Sequence, residues 1–122
     1  TTELLEKGGQ VVNGLEMSTT FDPHAESAAF QQFVQDYQAR YGSAPGLGAS
    51  HAYEAVLVLA AALEATGGKA EGLPEALRST RDFPGLLGEF SIDAFGDVHR
   101  DLYIMRVEDG KFVLISVVSL TE

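Results

Sequence analysis

The segment ASHAYEAVLVLAAALEA, Ala49 to Ala65, constrains this chain most, because its seventeen residues carry only two charges, Glu54 and Glu64. Alanine and leucine favour helix, and Ala52, Tyr53, Val56, Leu57, Leu59, Ala60 and Leu63 leave almost no polar side. A helix apolar nearly all round has to be covered nearly all round, so the segment is read as a mostly buried core helix. Its continuous apolar run, Ala55 to Leu63, is about half the ~20 residues a bilayer span requires. A chain of 122 residues is the size of one ordinary domain, which leaves few other elements to do the covering.

Those elements can be read in order. Leu4, Leu5 and Gly8-Gly9 form a helix end closing on glycine. Val11 to Met17 is a strand candidate in which Gly14 weakens the strand or marks a close backbone approach, and Ser18 to Phe21 extends it. Asp22-Pro23 has the chemistry of a helix start. From Ala28 the period is helical, with Phe30, Phe33, Val34, Tyr37 and Tyr41 on one face and Gly42 as the stop. After the apolar helix, ended by Gly67-Gly68, a short helix runs from Leu73 to Ser79, with Pro74 near its start. Phe83 to Asp93 reads as a turn and a short strand with Phe90 and Ile92 inward, and Ala94 to Asp97 turns the chain. Asp101 to Val107 and Lys111 to Val118 flank Asp109-Gly110, a strong hairpin signal.

Composition narrows function by exclusion. Eight basic against eighteen acidic residues give a net charge of −10, which phosphate backbones and anionic lipid repel. Nucleic acid is therefore not an expected partner. The absence of cysteine excludes a disulfide framework, a thiolate metal site and a cysteine nucleophile. The opening TTELLEKGG has neither a basic nor an apolar signal region.

Chemistry-bearing motifs are few. His24, His51 and His99 form no HExxH pair, and His24 beside Asp22 and Glu26 reads as a solvated helix start rather than a metal site. Asp93, Asp97 and Asp101 lack the order of a calcium loop and are expected to form a polar turn. There is no GxSxG elbow, GxGxxG or P-loop. No catalytic residue, metal or cofactor is expected, and the chain is not read as an enzyme. The aromatic face of Phe30, Phe33, Tyr37 and Tyr41 is read as core rather than as a stacking site. Tyr53, one turn into the apolar helix after a glycine-rich loop, has two readings: a core tyrosine with its hydroxyl satisfied at the helix start, or a ligand contact.

Four segments in order carry a resemblance: VVNGLEMSTTFDP, FQQFVQDYQARYGSAP, ASHAYEAVLVLAAALEATGG and FPGLLGEFSIDAFGDVHRDLYIMRVEDGKFVLI. Together they resemble the C-terminal third of the type I periplasmic solute-binding proteins, the family of the branched-chain amino acid receptors of ABC transporters. The resemblance implies an α/β chain that is part of a two-lobed, Rossmann-like type I fold and ends in a β-hairpin. Residues 1–18 would belong to the second lobe, 19–22 to a hinge crossing, 23–100 to the first lobe, and 101–122 to a returning crossing and the second lobe. Ser18, Thr19, Thr20 and Tyr103 are the implied hinge residues.

The resemblance also implies that Tyr53 faces the ligand cleft, with His51 and Ala52 as its neighbours there. The implied ligand is an amino acid or related acid, and the implied partners are an ABC permease and either the missing N-terminal part of the same protein or a swapped copy. The implied location is periplasmic or extracellular, with lipid anchoring allowed. Two other readings stay open, a ligand-sensing regulator domain of the same fold and a self-standing small enzyme or interaction module. If the receptor reading holds, the apolar helix and the strand Lys111 to Val118 should show uncovered apolar faces when the chain stands alone.

Overall fold

The computed structural model describes residues 2–120. Helix α1 (Thr2–Gly8) passes through a 3-10 turn (Gly9–Val12) into strand β1 (Glu16–Thr19). Helices α2 (Ala28–Tyr41), α3 (Leu47–Ala65) and α4 (Leu73–Arg78) follow. Five strands close the chain: β2 (Phe83–Gly85), β3 (Gly88–Ile92), β4 (Val98–Arg100), β5 (Leu102–Glu108) and β6 (Lys111–Val118). They form two three-stranded sheets, β1-β5-β6 and β2-β3-β4.

All pairings among the described strands are antiparallel. Tight connections impose this on β2–β3, β3–β4 and β5–β6, since a parallel pair needs a crossover of a dozen or more residues, whereas β1 and β5 meet across most of the chain. Leu86-Leu87 alone joins β2 to β3, with Gly85 opposite Gly88. Asp109-Gly110 joins β5 to β6 with both φ angles positive, the two-residue turn whose twist matches the strands.

Two expected starts move. The strand expected at Val11 begins at Glu16, because Gly14 sits at φ +83° in a turn. The Gly14 N–H donates to Val107 O at 2.8 Å, but nothing stands within 4 Å of where a Cβ would sit, so the positive φ and not a close approach is what calls for glycine. Asp22-Pro23 does not start α2. The Asp22 carboxylate instead accepts the His24 N–H at 2.9 Å, closing a local turn. Ser27 caps the helix, with Oγ accepting the Phe30 N–H at 3.1 Å and donating to Leu86 O at 2.6 Å. One hydroxyl thereby starts α2 and ties it to the β2–β3 turn. Gly42, at φ +73°, ends α2 as expected.

The core gathers at that tie. Phe30 and Phe33 of α2 are buried with Leu86 and Leu87, and Phe21, Val34, Tyr37, Ala49 and Tyr103 pack against them. Helix α3 is less covered than its sequence leads one to expect. Its buried residues are Ser50, Glu54, Val58 and Ala62, a single stripe four residues apart, whereas Val56 is 65% exposed and Leu57 and Leu59 are also exposed. The mostly buried helix is thus half covered, because only one side meets the other described elements. Among the described residues α3 is the one helix long and apolar enough to cross a bilayer by length and hydropathy, but Glu54 in its buried stripe is bonded to Arg100 of β4.

Candidate functional site

The N-terminal half of α3 carries the residues singled out by sequence, and helical geometry sends them in different directions. Residues two apart on a helix lie about 200° apart around its axis, so His51 and Tyr53 occupy opposite sides. Tyr53 turns toward α2 and stacks on Phe33, with ring centroids 4.8 Å apart and planes tilted by 40°. Phe33 continues to Tyr37 at 5.7 Å, and Tyr37 to Tyr41 at 4.5 Å. Tyr53 stays 45% exposed, and among the described residues its hydroxyl has no hydrogen-bond partner. The expectation of a core tyrosine with a satisfied hydroxyl therefore fails, since the ring is held by one face only. Ala52 is exposed. His51 does not join Tyr53, so the three neighbours form no common surface.

His51 faces a polar cluster instead. Its Nε2 lies 2.7 Å from Thr20 Oγ1, and its buried Nδ1 lies 3.4 Å from Glu54 Oε2, beyond ordinary hydrogen-bond length. Glu54 is 3% exposed and accepts three hydrogen bonds from two groups. Arg100 Nη1 donates to Oε2 at 2.7 Å, Arg100 Nη2 to Oε1 at 3.0 Å, and the Leu86 N–H to Oε1 at 2.7 Å. Burial pushes the Glu54 carboxyl up, but the fork of Arg100 and the Leu86 N–H more than offset it and hold it below its ordinary value. His51 is held below its ordinary value by burial first, then by the charge of Arg100. The cluster therefore contains an ion pair and a neutral imidazole near pH 7.

Gly85 makes room for this arrangement. A Cβ there would stand 2.5 Å from Glu54 Oε1 and 2.7 Å from Gly88 O. Sequence reading missed Glu54 and Arg100. A signal existed for the first, because a charge inside an apolar helix stripe demands a partner. None existed for the second, which is one of eight basic residues and lies 46 positions away.

The expected hinge residues come together. β1 pairs with β5 so that Thr19 opposes Tyr103 and Ser18 opposes Ile104, which sets the two extended segments side by side. Thr19 Oγ1 accepts the Phe21 N–H at 3.2 Å, and the Tyr103 hydroxyl donates to Leu87 O at 2.8 Å. Burial raises the Tyr103 phenol above its ordinary value. Beyond them, an open groove of about 820 Å³ is lined by Asp22, residues 24–27, Asp101, Tyr103 and the start of β6. Asp93 organises the turn that superficially suggested a calcium loop. Its Oδ1 accepts the Phe95 and Asp97 N–H groups at 2.8 and 2.9 Å, and Oδ2 meets His99 Nε2 at 3.1 Å. Among the described residues no group of three or more acidic or histidine side chains is placed to hold a metal.

The described residues thus present an aromatic surface on α2 and α3 and two extended segments paired side by side. Over residues 1–111 the chain matches the model of a family described as periplasmic binding protein. The chain belongs to that family, whose type I members share this α/β fold and are solute-binding proteins, not enzymes. Nothing among the curated proteins matches.

Several solved structures do. A leucine-binding protein, LivK, from Thermotoga maritima is 32% identical, with a TM-score of 0.85 over 98% of this chain. The substrate-binding protein LivJ of a branched-chain amino acid transporter from Streptococcus pneumoniae, solved with isoleucine, is 28% identical with a TM-score of 0.81 over 97% of the chain. A solute-binding protein of an ABC transporter from Rhodopseudomonas palustris, solved with 3,4-dihydroxybenzoic acid, is 26% identical with a TM-score of 0.81 over 99%. The present chain covers 35%, 34% and 35% of these three structures, about a third of each.

Proposed function

We propose that the chain is part of the substrate-binding component of an ABC transporter, which takes up an amino acid or a similar small carboxylate by lobe closure and delivers it to a membrane permease. The observation that carries this reading is the 32% identity and TM-score of 0.85 to a leucine-binding protein over nearly the whole chain. The ligands named for the similar structures, isoleucine and 3,4-dihydroxybenzoic acid, share a carboxylate and an apolar or aromatic body. A half-exposed tyrosine backed by aromatic rings suits such a body, so Tyr53 is the proposed ligand contact on this chain. His51 serves better as a support, and Ala52 as a neighbour.

On this reading residues 1–18 and 101–122 belong to one lobe and 23–100 to the other, with 19–22 and the start of β5 as crossings. Residues 1, 121 and 122 of those ranges lie outside the described residues. The pairing of Thr19 with Tyr103 supports two crossings that bend together. The protein would work outside the cytoplasmic membrane. The apolar faces of α3 and β6 would be covered by the remainder of a longer polypeptide, or by a swapped copy.

A sensing domain of the same fold is the second reading. Both predict binding of a small carboxylate, so transport is tested separately by uptake with the cognate permease. The binding test is a thermal-shift and calorimetric panel of L-leucine, L-isoleucine, other amino acids and hydroxybenzoates on the full-length protein. Saturable binding of one class is expected. A panel without any binding would overturn the small-carboxylate reading.

A further inference from the structure

Both extended segments are tied to one stretch of α3, and the ties differ in kind. Thr20, immediately after β1, meets His51 at 2.7 Å. Arg100, two residues before β5, meets Glu54 through two hydrogen bonds at 2.7 and 3.0 Å. His51 and Glu54 stand one turn apart on the same side of α3, and between them Tyr53 points the other way, onto Phe33. Glu54 also takes the Leu86 N–H, and the neighbouring Leu87 carbonyl takes the Tyr103 hydroxyl. A displacement of either segment therefore pulls on the same turn of α3, at His51 from one side of the pair and at Glu54 from the other.

We propose that Thr20, His51, Glu54 and Arg100 form a clasp that fastens both chain crossings to the first turns of α3, so that bending at the crossings and the attitude of Tyr53 change together. His51 and Glu54 are positioning residues here, because they act on a ligand only through Tyr53. The statement that the segments bend as crossings rests on the receptor reading above. The coupling of the two segments through α3 does not.

The chemistry assigns the two ties different strengths. The Arg100–Glu54 pair is buried and bidentate, so it is the permanent anchor. The Thr20–His51 bond is a single hydrogen bond at a partly exposed site, so it is the tie that yields. Motion would accordingly start at the first crossing while the second stays fixed to α3.

The test is amide hydrogen exchange on the intact protein, with Thr20→Val and His51→Leu as cutting variants. His51→Gln is the rescue variant, since its amide reaches Thr20 much as Nε2 does. Cutting the tie should speed exchange about tenfold at residues 19–21 and 100–103 and also at the Leu86 N–H held by Glu54, which the β1–β5 pairing does not reach. His51→Gln should restore wild-type exchange in both segments. Because the bond that is cut is a single side-chain bond at a partly exposed site, thermal melts should stay cooperative and confirm that the variants fold.

Acceleration confined to residues 19–21 and the paired β5 segment with the Leu86 N–H unchanged, or failure of His51→Gln to restore that N–H, would overturn the clasp. A second arm measures L-leucine and 3,4-dihydroxybenzoate binding to the same variants. If exchange is coupled but neither compound binds the wild type, the clasp stands and the choice of ligand class falls. If one binds and the segments exchange independently, the clasp falls and the receptor reading stands.

Discussion

Glu54 is the residue on which the middle of this molecule turns, since a lone carboxylate in an apolar helix stripe is tolerable only because Arg100 and the Leu86 N–H meet it. Glu54→Leu should cost about 3–5 kcal/mol, because Arg100 would remain charged and buried without a partner, and chemical denaturation of the intact protein measures it. Gly85→Ala should act on the same carboxylate from behind. The added methyl group falls 2.5 Å from Oε1 and must push it off the guanidinium fork, at about 1–3 kcal/mol by the same measurement.

The cluster also fixes a pH dependence. The folded-state pKa of His51 lies below its ordinary 6.5, so the unfolded chain takes up a proton there before the folded chain does. The stability this contributes is complete above 6.5 and is lost as pH falls through the lowered folded value. Melting temperature should therefore decline from pH 7 toward pH 5, and His51→Gln should flatten that decline. Glu54, also lowered, adds a loss of the same sign below about 4.5, where the unfolded carboxylate protonates first. For ligand binding, Tyr53→Ala should weaken affinity by about tenfold or more while Tyr53→Phe stays near wild type, because stacking area rather than the unpartnered hydroxyl makes the contact. Equal losses in both would place the contact on the hydroxyl instead.

At the scale of elements, side-chain caps and glycine turns decide where helices and hairpins begin and end. Ser27→Ala removes the cap of α2 and the bond to Leu86 O together, and should cost about 1–2 kcal/mol in denaturation. The periodicity of Phe30 to Tyr41 and the stops at Gly42 and Gly67 were legible because each depends on neighbours a few residues away. So was the Asp109-Gly110 turn, with its two positive φ angles. Asp22-Pro23 misled for the same local reason: its capping chemistry is genuine but is spent on a turn, while the capping serine is the one that Leu86 can reach. The sides taken by His51 and Tyr53 followed from their two-residue spacing.

At the scale of the molecule, surface area reports incomplete coverage. The chain exposes 7910 Å², whereas a compact monomer of 13.0 kDa should expose about 6,300 Å². The excess is about the total area buried in a standard-sized protein interface. Much of the exposed apolar surface falls on Val56, Leu57 and Leu59 of α3 and on Val113, Leu114, Ile115, Val117 and Val118 of β6, the two faces expected to be bare. The isolated 122-residue chain should therefore self-associate, and Val56→Lys should shift it toward the monomer in size-exclusion chromatography with light scattering. A monodisperse monomer at 13.0 kDa that binds no hydrophobic dye would contradict this.

The sequence by itself determined the helices, the tight turns and the family. Those depend on short-range sterics, capping and a run of segments whose order survives at modest identity. It also determined that α3 had to be covered by something, since no solvated face could be drawn on it. Only the tertiary structure decided that Glu54 finds Arg100 across 46 positions, that Gly85 leaves the space for them, and that Tyr53 and His51 serve opposite sides of one helix. Which charge meets which is a matter of distances in space. Those distances are set by how sheets and helices pack, and no local pattern along the chain encodes them.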